Sequence, residues 1–219
     1  MEKEEEKKIS DPAEKVKKEI EEKINMSDLE ELINSNIIEF EFNKEKYRVR
    51  KTTYKEKSEA YNIKMKKFTE LLSGDDYKLE DDLKKLYKAK GIDIDEITHM
   101  ISSKQLKKQN FLIRLGNILK NSPDKKNDIE KLREEIKRIN YEQQELSVKK
   151  SNLLAPSIES QSLLYTYQWL TFTVLEKEIV EGEEKKWVRA FKTFDDFLKG
   201  ESDLITEASF KASLIIGEI

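Results

Sequence analysis

Residues 37–72 read IIEFEFNKEKYRVRKTTYKEKSEAYNIKMKKFTELL, and this stretch decides the fold. Ile38, Phe40 and Phe42 alternate with Glu39 and Glu41, a period of two that leaves one face apolar and the other acidic. Asn43-Lys44-Glu45 interrupts the run with turn chemistry, and Tyr47 and Val49 then alternate with Lys46, Arg48 and Arg50. The pattern predicts a hairpin of one acidic and one basic strand, whose opposite charges attract across the pair. Thr53-Tyr54-Lys55-Glu56 has the spacing of a capping box, so a helix is expected to start there. Tyr54, Tyr61, Met65, Phe68 and Leu72 fall on one stripe of that helix. An isolated hairpin is marginal in water, so the expected unit is the hairpin with this stripe laid across it.

The whole chain has 219 residues, enough for one domain or two small ones. Charged residues make up 40% of it, yet the net charge is only −3 and the mean hydropathy is −0.79. High but balanced charge fits long solvated helices with paired faces, and argues against a nucleic-acid binder, which should be clearly basic. Six Gly and three Pro also favour helix. The absence of Cys excludes disulfides and thiolate metal sites and is compatible with an intracellular life. Met1–Glu6 has no apolar core of a secretory signal, and Leu163–Leu175 is too short and too polar for a membrane span, so neither secretion nor membrane insertion is expected.

Outside the central unit the chain reads as four segments. Residues 1–25 are a charged arm, either solvated or folding on a partner, and 26–121 hold a capped helix at Ser27, the hairpin and a helical cluster. In that cluster Leu79, Leu83, Leu86 and Tyr87 form one stripe, with Gly91 as its C-cap. Ile94, Ile97 and Ile101 form a second, and Leu106, Phe111, Leu112, Leu115, Ile118 and Leu119 a third, with a break expected at Ser102-Ser103. Residues 122–155 are a long helix with a heptad seam, Ile129, Leu132, Ile136, Ile139 and Leu146, completed by a polar Gln143. That seam can pack on the chain's own helices, form a hairpin with Leu106–Leu119, or pair between chains.

Pro156 closes the heptad helix, and residues 156–219 form an α+β segment. Ser157 is expected to cap a well-buried helix through Leu175, although Thr166, Thr171 and Thr173 leave a strand from 170 onward as an alternative. Glu178–Glu181 and Trp187–Phe191 read as a second hairpin around a loop from Gly182 to Lys186, with Trp187 and Phe191 on one face. Thr193–Leu198 is a short helix, and Ser202 caps a last one carrying Leu204, Ile205, Ala208, Leu214 and Ile215. The fold class expected is α+β, predominantly α: helical, with two short hairpins and one long coiled-coil-like helix.

No chemistry-bearing constellation emerges. His99 is the lone histidine and has no Cys or second His to share a metal. No phosphate loop, dinucleotide glycine run or nucleophile elbow occurs. The pairs Asp75-Asp76, Asp81-Asp82 and Asp195-Asp196 lie in helix starts, where the macrodipole favours them, or in exposed runs. No catalytic, cofactor or metal residue is therefore assigned. Basic and aromatic residues do interleave at Lys46–Lys51 and along helix 54–72, so an accessory nucleic-acid role through Arg48, Arg50, Lys64 and Lys67 is the alternative reading. The facing Glu39 and Glu41 weaken the positive field that such a role needs.

The segment Ile38–Glu56, with its hairpin running straight into a capped helix, resembles the opening of phage tail-assembly chaperones and related small virion-assembly proteins. Tyr167–Phe191, with Trp187-Val188-Arg189, is similar to phage structural proteins. The heptad helix at 124–152 is not part of that family pattern. The resemblance implies a non-enzymatic adaptor or chaperone that binds virion or tail proteins, in the host-cell cytoplasm or in the virion. The residues expected to meet such partners are Ile129, Leu132, Ile136, Ile139 and Leu146 of the seam, with Phe40, Phe42 and Tyr47 of the hairpin. The seam could equally mediate homo-oligomerisation.

Overall fold

The structure is a computed structural model that describes residues 36–182 and 184–216. The arm at 1–25 and the helix expected from Ser27 lie outside the described residues. The element order is β1 (Ile37–Phe42), β2 (Glu45–Arg50), α1 (Tyr54–Leu72), α2 (Glu80–Ala89), α3 (Ile94–Asn121), α4 (Lys126–Leu154), α5 (Ile158–Val174), β3 (Leu175–Glu181), β4 (Glu184–Arg189), α6 (Phe194–Leu198) and α7 (Ser202–Ile216). The expected class, α+β and predominantly α, is what is found. Of the described residues, those up to Tyr61 and from Tyr167 onward form one compact unit, and Asn62–Thr166 form the other.

The first unit is built on one sheet, not two separate hairpins. β1 pairs with β2, β2 with β3 and β3 with β4, all antiparallel. Val49 opposite Leu175 and Tyr47 opposite Lys177 set the join between the hairpins. The charge pattern of each hairpin is local, but the pairing of β2 with β3 joins residues more than 120 positions apart, which periodicity does not reveal. In the first turn Asn43 (φ 51°) and Lys44 (φ 65°) are both left-handed, the backbone that suits a two-residue hairpin connection. The second loop is shorter than expected, since β4 already begins at Glu184, with Gly182 at φ 68°.

The apolar face of the sheet is covered by α7, and not by the stripe of α1. Ile38, Tyr47, Val49 and Leu175 join Leu204, Ala208, Ala212, Ile215 and Ile216 of α7, Leu170, Phe172 and Val174 of α5, and Phe197 of α6 in one core. Ala208 and Ala212, one turn apart and buried, let α7 lie close on the strands. Most of the α1 stripe stays in solvent: Tyr54 is 90% exposed, Tyr61 60% and Leu72 51%, while Phe68 is half-buried. Ala60, fully buried, marks the side of α1 that packs inward in this unit. A helix with apolar residues on two sides offers two stripes, and the smaller side chain permits the closer approach.

The caps expected at Thr53 and Ser157 are in place, whereas Ser202 is the first residue of α7 and not its cap. Thr53 N donates to Glu56 Oε2 at 2.7 Å and Glu56 N to Thr53 Oγ1 at 3.2 Å, which closes the capping box of α1. Ser160 N donates to Ser157 Oγ at 3.0 Å at the start of α5. α5 stays helical through Val174 despite its threonines, whose hydroxyls are satisfied by bonding back to the helix: Thr166 to Ser162 O at 2.7 Å, Thr171 to Tyr167 O at 2.9 Å and Thr173 to Leu170 O at 2.7 Å. The strand alternative from 170 is thereby replaced by a helix that runs directly into β3. Trp187 and Phe191 separate. The first lies on the polar face of the sheet under Arg48, 4.5 Å from its guanidinium, and the second enters the core edge-on to Phe197 at 5.5 Å. Strand β4 ends at Arg189, so the alternation no longer governs residue 191.

Candidate protein-interaction surface

In the second unit, α3 and α4 form an antiparallel helical hairpin. Lys104 pairs with Glu142, and Gln143 Nε2 donates to Gln105 Oε1 at 3.1 Å. Nearer the connecting turn, Phe111, Arg114 and Ile118 share a groove with Asp128, Leu132 and Glu135. The break expected at Ser102-Ser103 is absent, because Ser102 Oγ bonds back to Thr98 O at 3.1 Å and the helix continues past it. On α4 the inward residues are the heptad seam: Ile129, Leu132 and Ile139 are buried, and Ile136, Gln143, Leu146 and Lys150 half-buried. On α3 the matching stripe is Ile97, Ile101, Lys104, Lys108, Phe111, Leu115 and Ile118, in strict four-three alternation. Lys104 and Lys108 stand where an apolar heptad would place Leu, so apolar periodicity does not disclose this second seam. Lysine reaches such positions by laying its alkyl stem along the seam and bringing its amine to a partner. The partner of Lys104, Glu142, has its carboxyl held below the usual range by that bond.

The residues expected to meet partners are therefore in use inside the chain. Ile129, Leu132, Ile136, Ile139 and Leu146 form the side of α4 that packs toward α3. Phe40, Phe42 and Tyr47 pack with the core under α7. Phe40 stacks on Tyr47 at 5.7 Å, the Lys211 amine lies 5.1 Å from the Phe40 ring, and the Tyr47 hydroxyl donates to Glu45 Oε2 at 2.7 Å. Burial first, and then that bond to Glu45, push the Tyr47 phenol well above its ordinary range. An apolar stripe shows that a face needs cover. In both places the chain covers itself.

What the structure leaves uncovered is the outward side of α3. Leu106 is 60% exposed and Ile113 63%, both opposite the seam, and Leu112 and Leu119 are exposed on the flank between them and the seam. Leu106, Leu112 and Leu119, expected in one stripe with Phe111, Leu115 and Ile118, do not share its face. The structure splits them, three to the seam and three to the surface. The charge of this helix is one-sided. From Ile97 to Asn121 it carries Lys104, Lys107, Lys108, Arg114 and Lys120 and no Asp or Glu. Lys107 and Arg114 flank the Phe111 ring at 5.7 and 6.0 Å. Opposite the seam α3 thus presents Leu106 and Ile113, with Lys107 and Arg114 on one flank and Leu112 and Leu119 on the other.

The basic strand and helix proposed for nucleic acid are arranged differently. Arg48 donates to Glu176 at 2.6 Å, Arg50 pairs with Glu56 at 2.7 Å and with Glu176 at 3.1 Å, and Lys67 pairs with Glu70 at 2.6 Å. These three bases spend their charge on carboxylates of the chain itself. Among the described residues no group of three His, Cys, Asp or Glu is placed to hold a metal ion, and no helix is long and apolar enough to cross a membrane. His99 is exposed on α3. No protein-family model matches the chain, and neither the curated proteins nor the solved structures give a significant match.

Proposed function

We propose that the chain is a non-enzymatic protein-binding adaptor, and that its contact surface is the outward side of α3 around Leu106 and Ile113. The observation that supports this is two exposed apolar side chains one heptad apart, with Lys107 and Arg114 on one flank and no acid from Ile97 to Asn121. Burying these side chains against a partner helix is favourable by roughly 25 cal/mol per Å² before ordering costs. The occupant that complements the border is an amphipathic helix with acidic flanks. Contiguous exposed apolar surface of this kind marks interaction sites. The resemblance of Ile38–Glu56 to tail-assembly chaperones supplies the setting, an adaptor or chaperone acting on virion or tail proteins.

Fluorescence anisotropy tests the surface. A labelled amphipathic peptide with Leu on one face and Glu at its borders is titrated with the wild-type chain and with L106D/I113D. Binding that disappears in the variant, at unchanged thermal stability, is the expected result. Equal binding of a Lys-bordered peptide, or equal binding by the variant, overturns the assignment. Affinity capture from the native source through both forms tests the setting. Virion or tail components held by the wild-type chain alone support it, and recovery of none of them overturns it.

A further inference from the structure

The polar face of the sheet carries a charge pattern that no single hairpin shows. One row crosses all four strands: Glu39 pairs with Arg48, Arg48 with Glu176, and Glu176 with Arg189. Beside it on the same face, Glu41 pairs with Lys46, and Glu178 with Trp187, which Lys185 precedes along β4. Strand by strand the face runs acid, base, acid, base. The inner members close on each other, with Arg48 Nε 2.6 Å from Glu176 and the Arg48 guanidinium over the Trp187 ring. The outer members differ. Glu39 and Glu41 on β1 are exposed. Lys185 and Arg189 on β4 are exposed too, though Lys185 reaches Glu178 at 3.4 Å and Arg189 leans on the Phe172 ring at 4.9 Å. Among the described residues no strand pairs with the outer side of β1 or of β4.

We propose that a second copy of this chain continues the sheet, setting its β1 antiparallel against β4 of the first. Two features select this occupant. The sheet has four strands, all antiparallel, so β1 and β4 run in opposite directions. A copy in the same orientation therefore brings β1 antiparallel to β4 with the same face outward, and the row reads on as acid, base, acid, base, acid. The charges also exclude the symmetric alternatives. β1 against β1 would set Glu39 and Glu41 against their own kind, and β4 against β4 would set Lys185 and Arg189 against theirs; like charges directly opposite are destabilising. Charged edges ordinarily guard a sheet against any pairing. Here each edge carries one sign, so the guard forbids like-with-like and permits β1 with β4. A contact between two different surfaces is head-to-tail, and builds rows of copies unless its rotation closes a ring. This surface is distinct from the outward side of α3 and lies in the other unit.

Sedimentation velocity over a wide concentration range, at low and at high salt, tests the proposal with two charge-reversed forms, E39K/E41K and K185E/R189E. Circular dichroism establishes that each is folded. The wild type is expected to associate reversibly at low salt and less at high salt, since exposed charges are screened beyond about 10 Å at 0.1 M. Each reversed form alone is expected to associate at least roughly tenfold more weakly, because its two edges now carry the same sign. Mixing the two forms in equal amounts is expected to restore association, since each then offers the edge that the other lacks. A wild type that stays monomeric throughout, reversed forms that associate like the wild type, or two folded forms that fail to combine would each overturn it. Should a reversed form not fold, the neutral pair E39Q/E41Q takes its place, and undiminished association of that form is equally decisive against the proposal.

Discussion

Arg50 holds Glu56 with both terminal nitrogens, Nη2 to Oε1 at 2.7 Å and Nη1 to Oε2 at 3.0 Å, and so ties the end of β2 to the first turn of α1. Burial by itself would raise the Glu56 pKa, but the Arg50 bonds, with the backbone and hydroxyl of Thr53, bring it down to about 2 from an ordinary 4.5. A carboxylate with a lowered folded-state pKa contributes stability that is fully present above its unfolded value and lost as pH falls toward the folded one. The wild-type melting temperature should therefore drop between about pH 5 and pH 2 through this group. Glu56→Gln should melt lower than the wild type at neutral pH and show a shallower fall in that window. Parallel acid profiles for the two forms would mean that Glu56 is not a source of the slope.

Gly200 lies where a Cβ would come within 2.8 Å of the Phe191 ring and 3.1 Å of Phe197 O. Phe191 is packed edge-on to the fully buried Phe197 and has little room to move. Gly200→Ala should cost about 1–3 kcal/mol, as overpacking does. Urea denaturation measures it, and a neutral result would show that the ring can swing aside.

Lys44 sits at φ 65° in the first turn, a region where a residue with a Cβ is strained by about 1–2 kcal/mol. Lys44→Gly creates the Asn-Gly pair that such turns favour. After the added unfolded-state entropy of glycine, a net gain of about 0.5–1 kcal/mol is expected. A fall in the melting temperature would show that the turn is not strained.

Ile139 is 1% exposed in the α3–α4 seam, whereas Leu106 is 60% exposed on the opposite side of α3. Ile139→Ala should cost about 2–5 kcal/mol, and Leu106→Asp should lie within about 0.5 kcal/mol of the wild type. Thermal unfolding of the two variants side by side checks the assignment of inner and outer faces. Equal losses would remove the distinction on which the interaction surface rests.

Legibility in the sequence followed the range of the interactions. The capping box at Thr53, the N-cap at Ser157 and the glycine at 91, with φ 81°, were readable because each is settled by neighbours three or four residues away. The alternation of Ile38, Phe40 and Phe42 was readable for the same reason. The α3 seam was hidden because Lys104 and Lys108 interrupt it, and a lysine discloses its role only when Glu142 is seen opposite Lys104. The exposed side of α3 was hidden because Leu106, Leu112 and Leu119 have the same composition as the residues that turn inward.

By itself the sequence determined the elements: where helices start, where hairpins turn, and that the whole is mostly helical with a small amount of strand. Those outcomes follow from backbone preferences, side-chain caps and periodicity, all of which act within a few residues. Only the tertiary structure decided that the hairpins share one sheet, that α7 and not α1 covers it, and that the heptad seam closes on α3. Burial depends on which distant surface fits best, and a stripe of apolar side chains carries no address for its partner.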